Sequence, residues 1–321
     1  MNKFIALLMA VALFVSAGCQ RKELLDPHGH HNLIINAHFD EIGLAQLLSN
    51  KTRYAAPGEP ATTKYILYDR PTQRVMYSGE FDGLKGGVYA REGIYDLLLY
   101  TSDFNELDAN FFRGLDNYKT AETYTRQSEV SNPTRSDVTE MYMVEPDPTF
   151  AKLVENIMVL SIHEDTEVEV GLIQKSFKYY ITIRAKGLHN IHTAKMHITG
   201  MYTSAFLTTD EHRMDEAGIQ TLDLDIRRYD YNDHVGEGEL YGEFWSFGPH
   251  QGESVVNSIT LYFINGDVIV MKLKDLTSQI KKLTRGGEIK VEQYLDIKGP
   301  SGGFQPSVGG WDNSTDVDII M

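Results

Sequence analysis

The amino-acid sequence predicts an all-β protein built from antiparallel β-sandwiches. Segments rich in β-branched and aromatic residues recur roughly every 8–12 residues between turn signals, a spacing typical of sandwiches. The chain contains 18 Tyr, 14 Phe and 27 Gly but only 2 Trp, and this composition suits strands that are joined by many turns. No long helical pattern interrupts the series.

The first stretch of the chain predicts an exported precursor. Lys3 supplies a positive charge, and residues 4–15 form an unbroken apolar run (FIALLMAVALFV). This run is shorter than the roughly 20 residues of a transmembrane helix, and it matches the hydrophobic region of a signal peptide. Small residues follow at 16–18, so residues 1–18 are predicted to be removed.

Cys19 is the only cysteine in the chain, so it cannot form an intramolecular disulfide. The pattern around it resembles a bacterial lipobox, in which the cysteine is acylated on sulfur and becomes the new N-terminus. Ser16 stands where Leu is commoner in lipoboxes. The alternative is an ordinary secretory signal with an incidental cysteine.

Residues 19–32 are polar and read as a lipidated tether between the bilayer and the folded protein. Three histidines in this tether, His28, His30 and His31, could bind a metal because imidazole is a common ligand. The simpler interpretation is a flexible polar linker, and we predict no metal or cofactor.

The charge balance limits the partners. Lys and Arg number 30 against 45 Asp and Glu, which gives a formal net charge of −15. An acidic surface repels nucleic acid and anionic lipid, so neither is expected to bind through charge. Membrane attachment would then depend on the acylated Cys19.

Residues 33–148 are predicted to form an N-terminal β-sandwich. Its strands are expected at residues 33–39, 64–69, 75–81, 86–90, 93–100, 122–125 and 141–144, with a hairpin turn at 70–74. Lys51 and Arg53 lie in the loop after the first strand, where a trypsin-like protease could cut, although a plain connection is the simpler interpretation. Pro146 and Pro148 predict the domain boundary.

Residues 149–321 are predicted to form a C-terminal β-sandwich. Its strands are expected at residues 156–163, 177–184, 191–201 with a turn after 194, 221–226, 242–248, 258–264, 267–273, 287–297 and 316–321. Residues 168–172 are either a strand or part of a connection. Leu222, Leu224 and Ile226 alternate and should share one face.

A hairpin turn and a short helix are expected late in the chain. Asn265-Gly266 predicts a type I′ turn, since both residues tolerate positive φ. A helix at 277–283 is expected to be capped by Thr277.

Few residues in the sequence point to catalysis or ligand binding. No nucleophile elbow, zinc-protease motif or phosphate-binding loop is present. Residues 236–242 (GEGELYG) lack dinucleotide-binding spacing and read as a loop. Acidic stretches at 230–233 and 312–318 could offer oxygens to calcium, but solvated loops are the simpler interpretation. Trp245 and Trp311 could stack on sugars, although core or edge positions are expected for both.

Several stretches resemble fimbrillin-like lipoproteins of the Bacteroidetes, similar to FimB-type fimbrial anchor and assembly subunits and to related uncharacterised lipoproteins. The resemblance is carried by residues 93–100 (GIYDLLLY), 194–201 (AKMHITGM), the hairpin at 261–271 and the glycine-rich close at 302–311 (GGFQPSVGGW). It covers most of the mature chain. Its motifs are structural rather than catalytic.

The resemblance implies two tandem transthyretin-like β-sandwiches, a lipid anchor in the outer membrane and a place at the base of, or within, a fimbria. Related pilins assemble when one subunit accepts a strand from its neighbour. Residues 316–321 are therefore expected either to lie at an edge or to be donated to another subunit.

The sequence thus predicts a non-enzymatic lipoprotein of the outer membrane, on the cell surface or the periplasmic face. Its partners would be the bilayer, through acylated Cys19, and fimbrial subunits. A surface glycan-binding lipoprotein is the first alternative, and a hydrolase with a carboxylate pair is the second.

Overall fold

The computed structural model describes residues 31–40, 60, 62–101, 110–132, 135–212, 217–228, 236–297 and 307–308. Within these ranges the protein is nearly all β, as predicted. No helix in the described part is long and apolar enough to span a membrane.

The described residues form twenty strands, one short α-helix and one 3₁₀ turn. The strands are β1 (Leu33–Phe39), β2 (Thr62–Asp69), β3 (Arg74–Asp82), β4 (Lys85–Val88), β5 (Gly93–Thr101), β6 (Asn110–Arg113), β7 (Glu122–Thr125), β8 (Gln127–Asn132), β9 (Arg135–Met143), β10 (Phe150–Val159), β11 (Thr166–Gln174), β12 (Phe177–Lys186), β13 (Ile191–Tyr202), β14 (Ser204–Phe206), β15 (Ala217–Arg228), β16 (Gly238–Ser246), β17 (Asn257–Phe263), β18 (Val268–Lys272), β19 (Gly287–Asp296) and β20 (Ser307–Val308). The helix α1 (Thr277–Ile280) precedes β19, and the 3₁₀ turn (Leu188–Asn190) precedes β13.

The first large sheet has seven strands in the order β3-β2-β5-β10-β11-β1-β4. Its two end strands, β3 and β4, are consecutive in the chain and are joined by Gly83 and Leu84 alone. The sheet must therefore curl until its ends approach each other. The contact between β10 and β11 is limited to two residue pairs, which makes it a corner. The enclosed core includes Leu33, Leu97 and Phe150, all fully buried.

The second large sheet has the main order β18-β17-β13-β15-β16-β12-β19-β20, with β8 and β9 attached beside β15. The first part of β15 pairs with β13, whereas its last four residues pair with β16. This one strand thus passes from one layer to the other. Buried side chains from both layers, including Ile181, Met196, Leu224 and Ile259, fill the core between them.

A small sheet in the order β14-β7-β6 connects the two large sheets. Strands β6 and β7 precede the second sheet in the chain, while β14 follows β13 of that sheet. Leu207, just after β14, packs together with Ala121 against Tyr68 of β2 and Leu98 of β5, on the outer face of these two strands. Both faces of β5 are consequently covered, which explains the nearly continuous apolar run of residues 93–100.

The expectation of antiparallel sheets is wrong for three strand pairs. β1 pairs with β11, β12 with β19 and β15 with β9 in parallel register. Parallel neighbours require a long connection, and more than fifty residues separate the strands of each of these pairs. Hairpin signals describe only strands that are adjacent in sequence, so they could not reveal these pairings.

Most predicted strands are confirmed, with shifted ends. The strand expected at 156–163 begins earlier, since β10 starts at Phe150 and passes through a bulge between Val154 and Ile157. Residues 191–201 form one continuous strand without a turn after Ala194. Residues 168–172 lie within β11 and are therefore a strand. Strands β6 and β8 were not expected, and residues 316–321 lie outside the described residues.

Two local predictions were wrong in detail. The hairpin at Asn265-Gly266 exists, but Gly266 is the residue with positive φ and Asn265 is not, so the turn is not type I′. Thr277 begins the helix rather than capping it. Its hydroxyl instead bonds to the backbone of Val255, while its amide donates to Asp275.

The boundary after Pro148 remains a prediction, because strand pairing does not establish where independently folding units begin. The pairing does place β10 and β11, which follow Pro148, in the seven-stranded sheet. It places β8 and β9, which precede Pro148, beside the second sheet.

Candidate functional site

Several residues singled out from the sequence lie outside the described residues. They are Cys19, Lys51, Arg53, the histidines 28 and 30, Trp311 and the acidic stretches 230–233 and 312–318. The acylation of Cys19 accordingly remains a prediction. Across the described ranges, no group of three or more His, Cys, Asp and Glu could hold a metal ion.

Trp245 is a core residue, as expected, and is 2% exposed. It lies on β16 of the second sheet, yet its side chain packs into the core of the first sheet. Its backbone amide donates to Glu145 Oε1 at 2.8 Å. Trp245 therefore joins the two sheets and offers no surface on which a sugar could stack.

The glycine-rich stretch at 236–242 is not simply a loop, because Gly238 and Gly242 lie within β16. A Cβ atom on Gly242 would lie 2.5 Å from Leu222 Cδ1 and 2.7 Å from Leu224 Cδ2. A Cβ atom on Gly238 would lie 2.0 Å from the carbonyl oxygen of Arg227. These glycines therefore allow close packing at positions where a side chain would not fit.

The structure gives a role to Asp96, the acidic residue in the otherwise apolar motif at 93–100. It lies in β5 within GIYDLLLY and is 1% exposed. Its Oδ1 atom accepts hydrogen bonds from Arg70 Nη1 at 2.6 Å and from the Asn156 amide at 3.0 Å. Asn156 has φ of 63° in the bulge of β10, so Asp96 stabilises that bulge and has a structural role.

An edge strand, β3, is the first candidate for partner binding. It ends the order of the seven-stranded sheet and, among the described strands, pairs along its length only with β2. An unpaired edge offers backbone N–H and C=O groups to another strand. Tyr77 and Phe81 of β3 pack against the first core, which holds this edge against the sheet.

The edge strand β3 exposes two adjacent apolar residues, Val75 and Met76. Its pairing with β2 shifts between Tyr77 and Val75, so Met76 is the extra residue of a bulge. Met76 is 51% exposed and Val75 is 39% exposed. The edge strand β18 of the second sheet also exposes an apolar residue, Val268, at 38%, but it alternates in burial and ends on the exposed Lys272.

A cavity of about 600 Å³ is the second candidate site. It lies where the β11–β12 junction, the loop after β14, the loop after β16 and the segment after α1 meet. Its apolar lining includes Phe177, Tyr202 and Phe247, all of which are largely buried. Its volume is within the usual range of small-molecule sites.

Charged groups meet at the rim of this cavity. Lys175 Nζ donates to the Thr209 carbonyl oxygen at 2.8 Å and lies 3.4 Å from Asp210 Oδ1. Arg285 Nη2 lies 3.4 Å from the other oxygen of Asp210. The Lys175 side chain is only 5% exposed, whereas Asp210 is 66% exposed. Burial lowers the pKa of Lys175, and this effect outweighs the opposing attraction of Asp210.

His212 lines the same cavity and stacks on Tyr202, with ring centroids 4.3 Å apart. Its Nε2 atom lies 2.9 Å from the Phe247 carbonyl oxygen and, when protonated, donates a hydrogen bond to it. Burial lowers the pKa of His212, with a further contribution from Lys175. On the other side of Tyr202, the ring of His250 lies 4.9 Å away.

Sequence reasoning did not identify the residues of this cavity. Lys175, Asp210, His212 and Arg285 are spread over more than a hundred residues, and no spacing connects them. The segments that carry these four residues come together only through pairing between strands that are far apart in the chain. The exposed apolar residues of β3 were visible within a predicted strand, but its position at an edge was not.

Comparison with solved structures identifies the fold. A candidate adhesin from Bacteroides ovatus ATCC 8483 has 15% identity and a TM-score of 0.57, with 89% of this chain and 98% of that chain covered. A second candidate adhesin from Bacteroides ovatus has 11% identity and a TM-score of 0.50, with 90% and 94% covered. The fimbrial anchor protein Mfa2 from Porphyromonas gingivalis gives 11% identity and a TM-score of 0.43, with 82% and 89% covered.

The two candidate adhesins from Bacteroides ovatus agree with the predicted resemblance to surface proteins of that phylum. At such low identity the likeness establishes the fold alone. No curated protein matches the chain. A family model described as "Domain of unknown function (DUF5119)" matches residues 18–223, more than half of the chain. The chain therefore belongs to the DUF5119 family.

Proposed function

We propose that this protein is an outer-membrane lipoprotein with a structural or adhesive role, and that it anchors or assembles a fimbria through β-strand contacts. The observation that carries the proposal is the edge strand β3, which pairs along its length with β2 alone among the described strands and has two exposed apolar residues. The fold shared with the candidate adhesins is compatible with this role.

The proposed contact is β-augmentation. A partner strand would complete the hydrogen bonds of β3, and its side chains would cover Val75 and Met76. Backbone pairing would supply much of the affinity, while the apolar contacts would select the partner. A fimbrial subunit is the partner that this role requires.

The proposed anchor is acylated Cys19. Each buried CH₂ group of an acyl chain contributes about 0.8 kcal/mol to membrane binding. The polar residues 20–32 would hold the folded part away from the bilayer, on the cell surface or on the periplasmic face. This arrangement explains why an acidic chain with a net charge of −15 could remain on a membrane.

The two curled sheets support a proposal of two folding units of the transthyretin-like type. Each sheet encloses a core cluster of its own. Strand pairing favours a division near Lys175 and Ser176 over the predicted division at residues 148 and 149, because β10 and β11 belong to the first sheet.

The glycan-binding alternative required exposed, coplanar aromatic rings. Trp245 is buried between the sheets, and this burial counts against that alternative. We propose a structural rather than an enzymatic role.

In-cell photocrosslinking tests the strand contact. A photoreactive amino acid at Ser78 in β3 should give a higher-mass adduct that contains a fimbrial subunit. Met76→Lys should reduce the adduct about tenfold, because a strand covering this position would have to desolvate the new charge.

Met158 supplies the matched control. It is 54% exposed on β10, an internal strand of the same sheet. Met158→Lys should leave the adduct unchanged. The proposed contact would be refuted if fimbriated cells gave no adduct from position 78, or if both lysine variants reduced it equally.

A further inference from the structure

The cavity beside the β11–β12 junction is lined by both aromatic and cationic residues, a combination that suits an amphipathic ligand. Phe177, Tyr202 and Phe247 are among its apolar lining residues, and Lys175 and Arg285 are its cations. A volume of about 600 Å³ accommodates a molecule of one or two rings. This site is distant in sequence from β3 and is not used by the proposed strand contact.

The charges at the rim favour an anion. Two cations, Lys175 and Arg285, each lie 3.4 Å from an oxygen of the Asp210 carboxylate. Lys152 adds a third positive charge close enough to act on Lys175. Glu211 also lines the cavity and opposes them. Such a group of cations is notable in a chain with a net charge of −15.

Lys175 is the most constrained of these groups. Its ammonium group is held by the Thr209 carbonyl at 2.8 Å while the side chain is almost completely buried. Its other partner, Asp210, lies at 3.4 Å and is largely exposed to solvent. A carboxylate from a ligand could therefore replace Asp210 and form a shorter, better shielded ion pair.

We propose that this cavity binds a small carboxylic acid with an apolar body. The carboxylate would contact Lys175 and Arg285, and the apolar body would lie against the exposed parts of Phe177 and Tyr202. The ammonium group provides the charge recognition, and the rings provide an apolar contact. Binding would remove water from both parts of the ligand at once.

Calorimetric titration of the complete mature chain tests the ligand class with three probes. 3-Phenylpropionate has both features, 3-phenylpropanol lacks the charge, and glucuronate lacks the apolar body. We expect 3-phenylpropionate to bind at least about tenfold more tightly than either of the others, because each loses one set of contacts. Equal binding of the acid and the alcohol, or no binding of the acid, would overturn the proposal.

Substitutions at Lys175 and Asp210, with one at Lys195 as the control, separate a binding role from a structural one. Lys175→Met should abolish binding of 3-phenylpropionate, whereas Lys195→Met, a lysine in an exposed ion pair on β13, should not alter it. Asp210→Asn should strengthen binding several-fold, because the ligand no longer competes with a protein carboxylate.

The Asp210→Asn result remains decisive if Lys175→Met does not fold, since Asp210 is exposed and its loss should be tolerated. Weaker or unchanged binding of the acid to Asp210→Asn would overturn the proposal, because it would show that Asp210 does not compete with the ligand. Failure here would leave the proposed strand contact untouched, since photocrosslinking from β3 tests that separately.

Discussion

Asp96 organises an irregular part of the first sheet through two hydrogen bonds. Its buried carboxylate accepts from the Arg70 side chain and from the Asn156 amide, whose residue has a left-handed backbone in the bulge of β10. A hydrogen bond to a charged group contributes about 1.5–3 kcal/mol, more than one between neutral groups. The acid in the GIYDLLLY motif is therefore required by the backbone of a neighbouring strand.

Asp96→Asn should lower the free energy of unfolding by about 1.5–3 kcal/mol, because Arg70 loses its hydrogen-bonded carboxylate at 2.6 Å and keeps only Glu155, which is 3.6 Å away. Urea denaturation measures this change. Asp223→Asn is the control, since Asp223 is 58% exposed and forms a surface ion pair with Lys195. That control should cost less than about 1 kcal/mol, and an equal loss in both variants would contradict the role given to Asp96.

His212 should make the folded state sensitive to mild acid. Burial lowers its pKa below the ordinary value of 6.5, so the unfolded chain binds a proton more readily than the folded chain. Stability contributed by neutral His212 is therefore complete above pH 6.5 and declines as the pH falls toward the folded-state pKa. The His212 ring stacks on Tyr202, which also contacts the His250 ring. The charges of Lys175 and Asp210 act on His212 in opposite directions.

Melting temperatures measured from pH 7.5 to 5 should fall less steeply for His212→Gln than for the natural chain. His192→Gln, at an exposed position on β13, serves as the control and should leave the slope unchanged. A slope that is identical in all three proteins would refute the link between His212 and acid sensitivity.

At the scale of elements, the sequence predicted strands well and their partners poorly. Alternation placed Leu222 and Leu224 in the core, and the structure confirms both. The parallel pairing of β1 with β11 and the passage of β15 between two layers depend on residues far apart in the chain. Local periodicity carries no information about such contacts. The cavity is lined by segments that are far apart in the chain, so it could not be predicted either.

In the β17–β18 hairpin, the position of the turn was predicted correctly from the sequence, but its backbone conformation was not. Asn265-Gly266 lies at the turn, but only Gly266 has positive φ, at 93°. The Gly266 amide donates to the Phe263 carbonyl at 3.0 Å, and the Phe263 amide donates to the Asp267 carbonyl at 2.8 Å. These bonds close the turn with one left-handed residue.

Gly266→Ala should destabilise the protein by about 1–2 kcal/mol, because an L-residue with a side chain is strained at this φ. No heavy atom lies within 4 Å of the position that a Cβ would occupy, so the loss would come from the backbone alone. Gly266→Asn should cost less, since Asn tolerates left-handed conformations better. Thermal unfolding of the two variants decides the matter, and equal losses would contradict this explanation.

At the scale of the whole molecule, the two large sheets are linked by more than a peptide connection. The small sheet combines β6 and β7 with β14, and Trp245 of the second sheet fills part of the first core. Lys178 and Glu243 form a buried ion pair on the same face of β12 and β16 as Trp245. A force applied to one sheet would therefore be transmitted to the other, which is compatible with the proposed structural role.

We propose that acylated Cys19 attaches this protein to a membrane. The most direct measurement combines metabolic labelling with an alkyne analogue of palmitate and membrane fractionation, applied to the natural chain and to Cys19→Ser. The natural chain is expected to carry the label and to sediment with membranes, while Cys19→Ser is expected to be unlabelled and to lose membrane association. An unlabelled natural chain, or a Cys19→Ser variant that still fractionates fully with membranes, would contradict it.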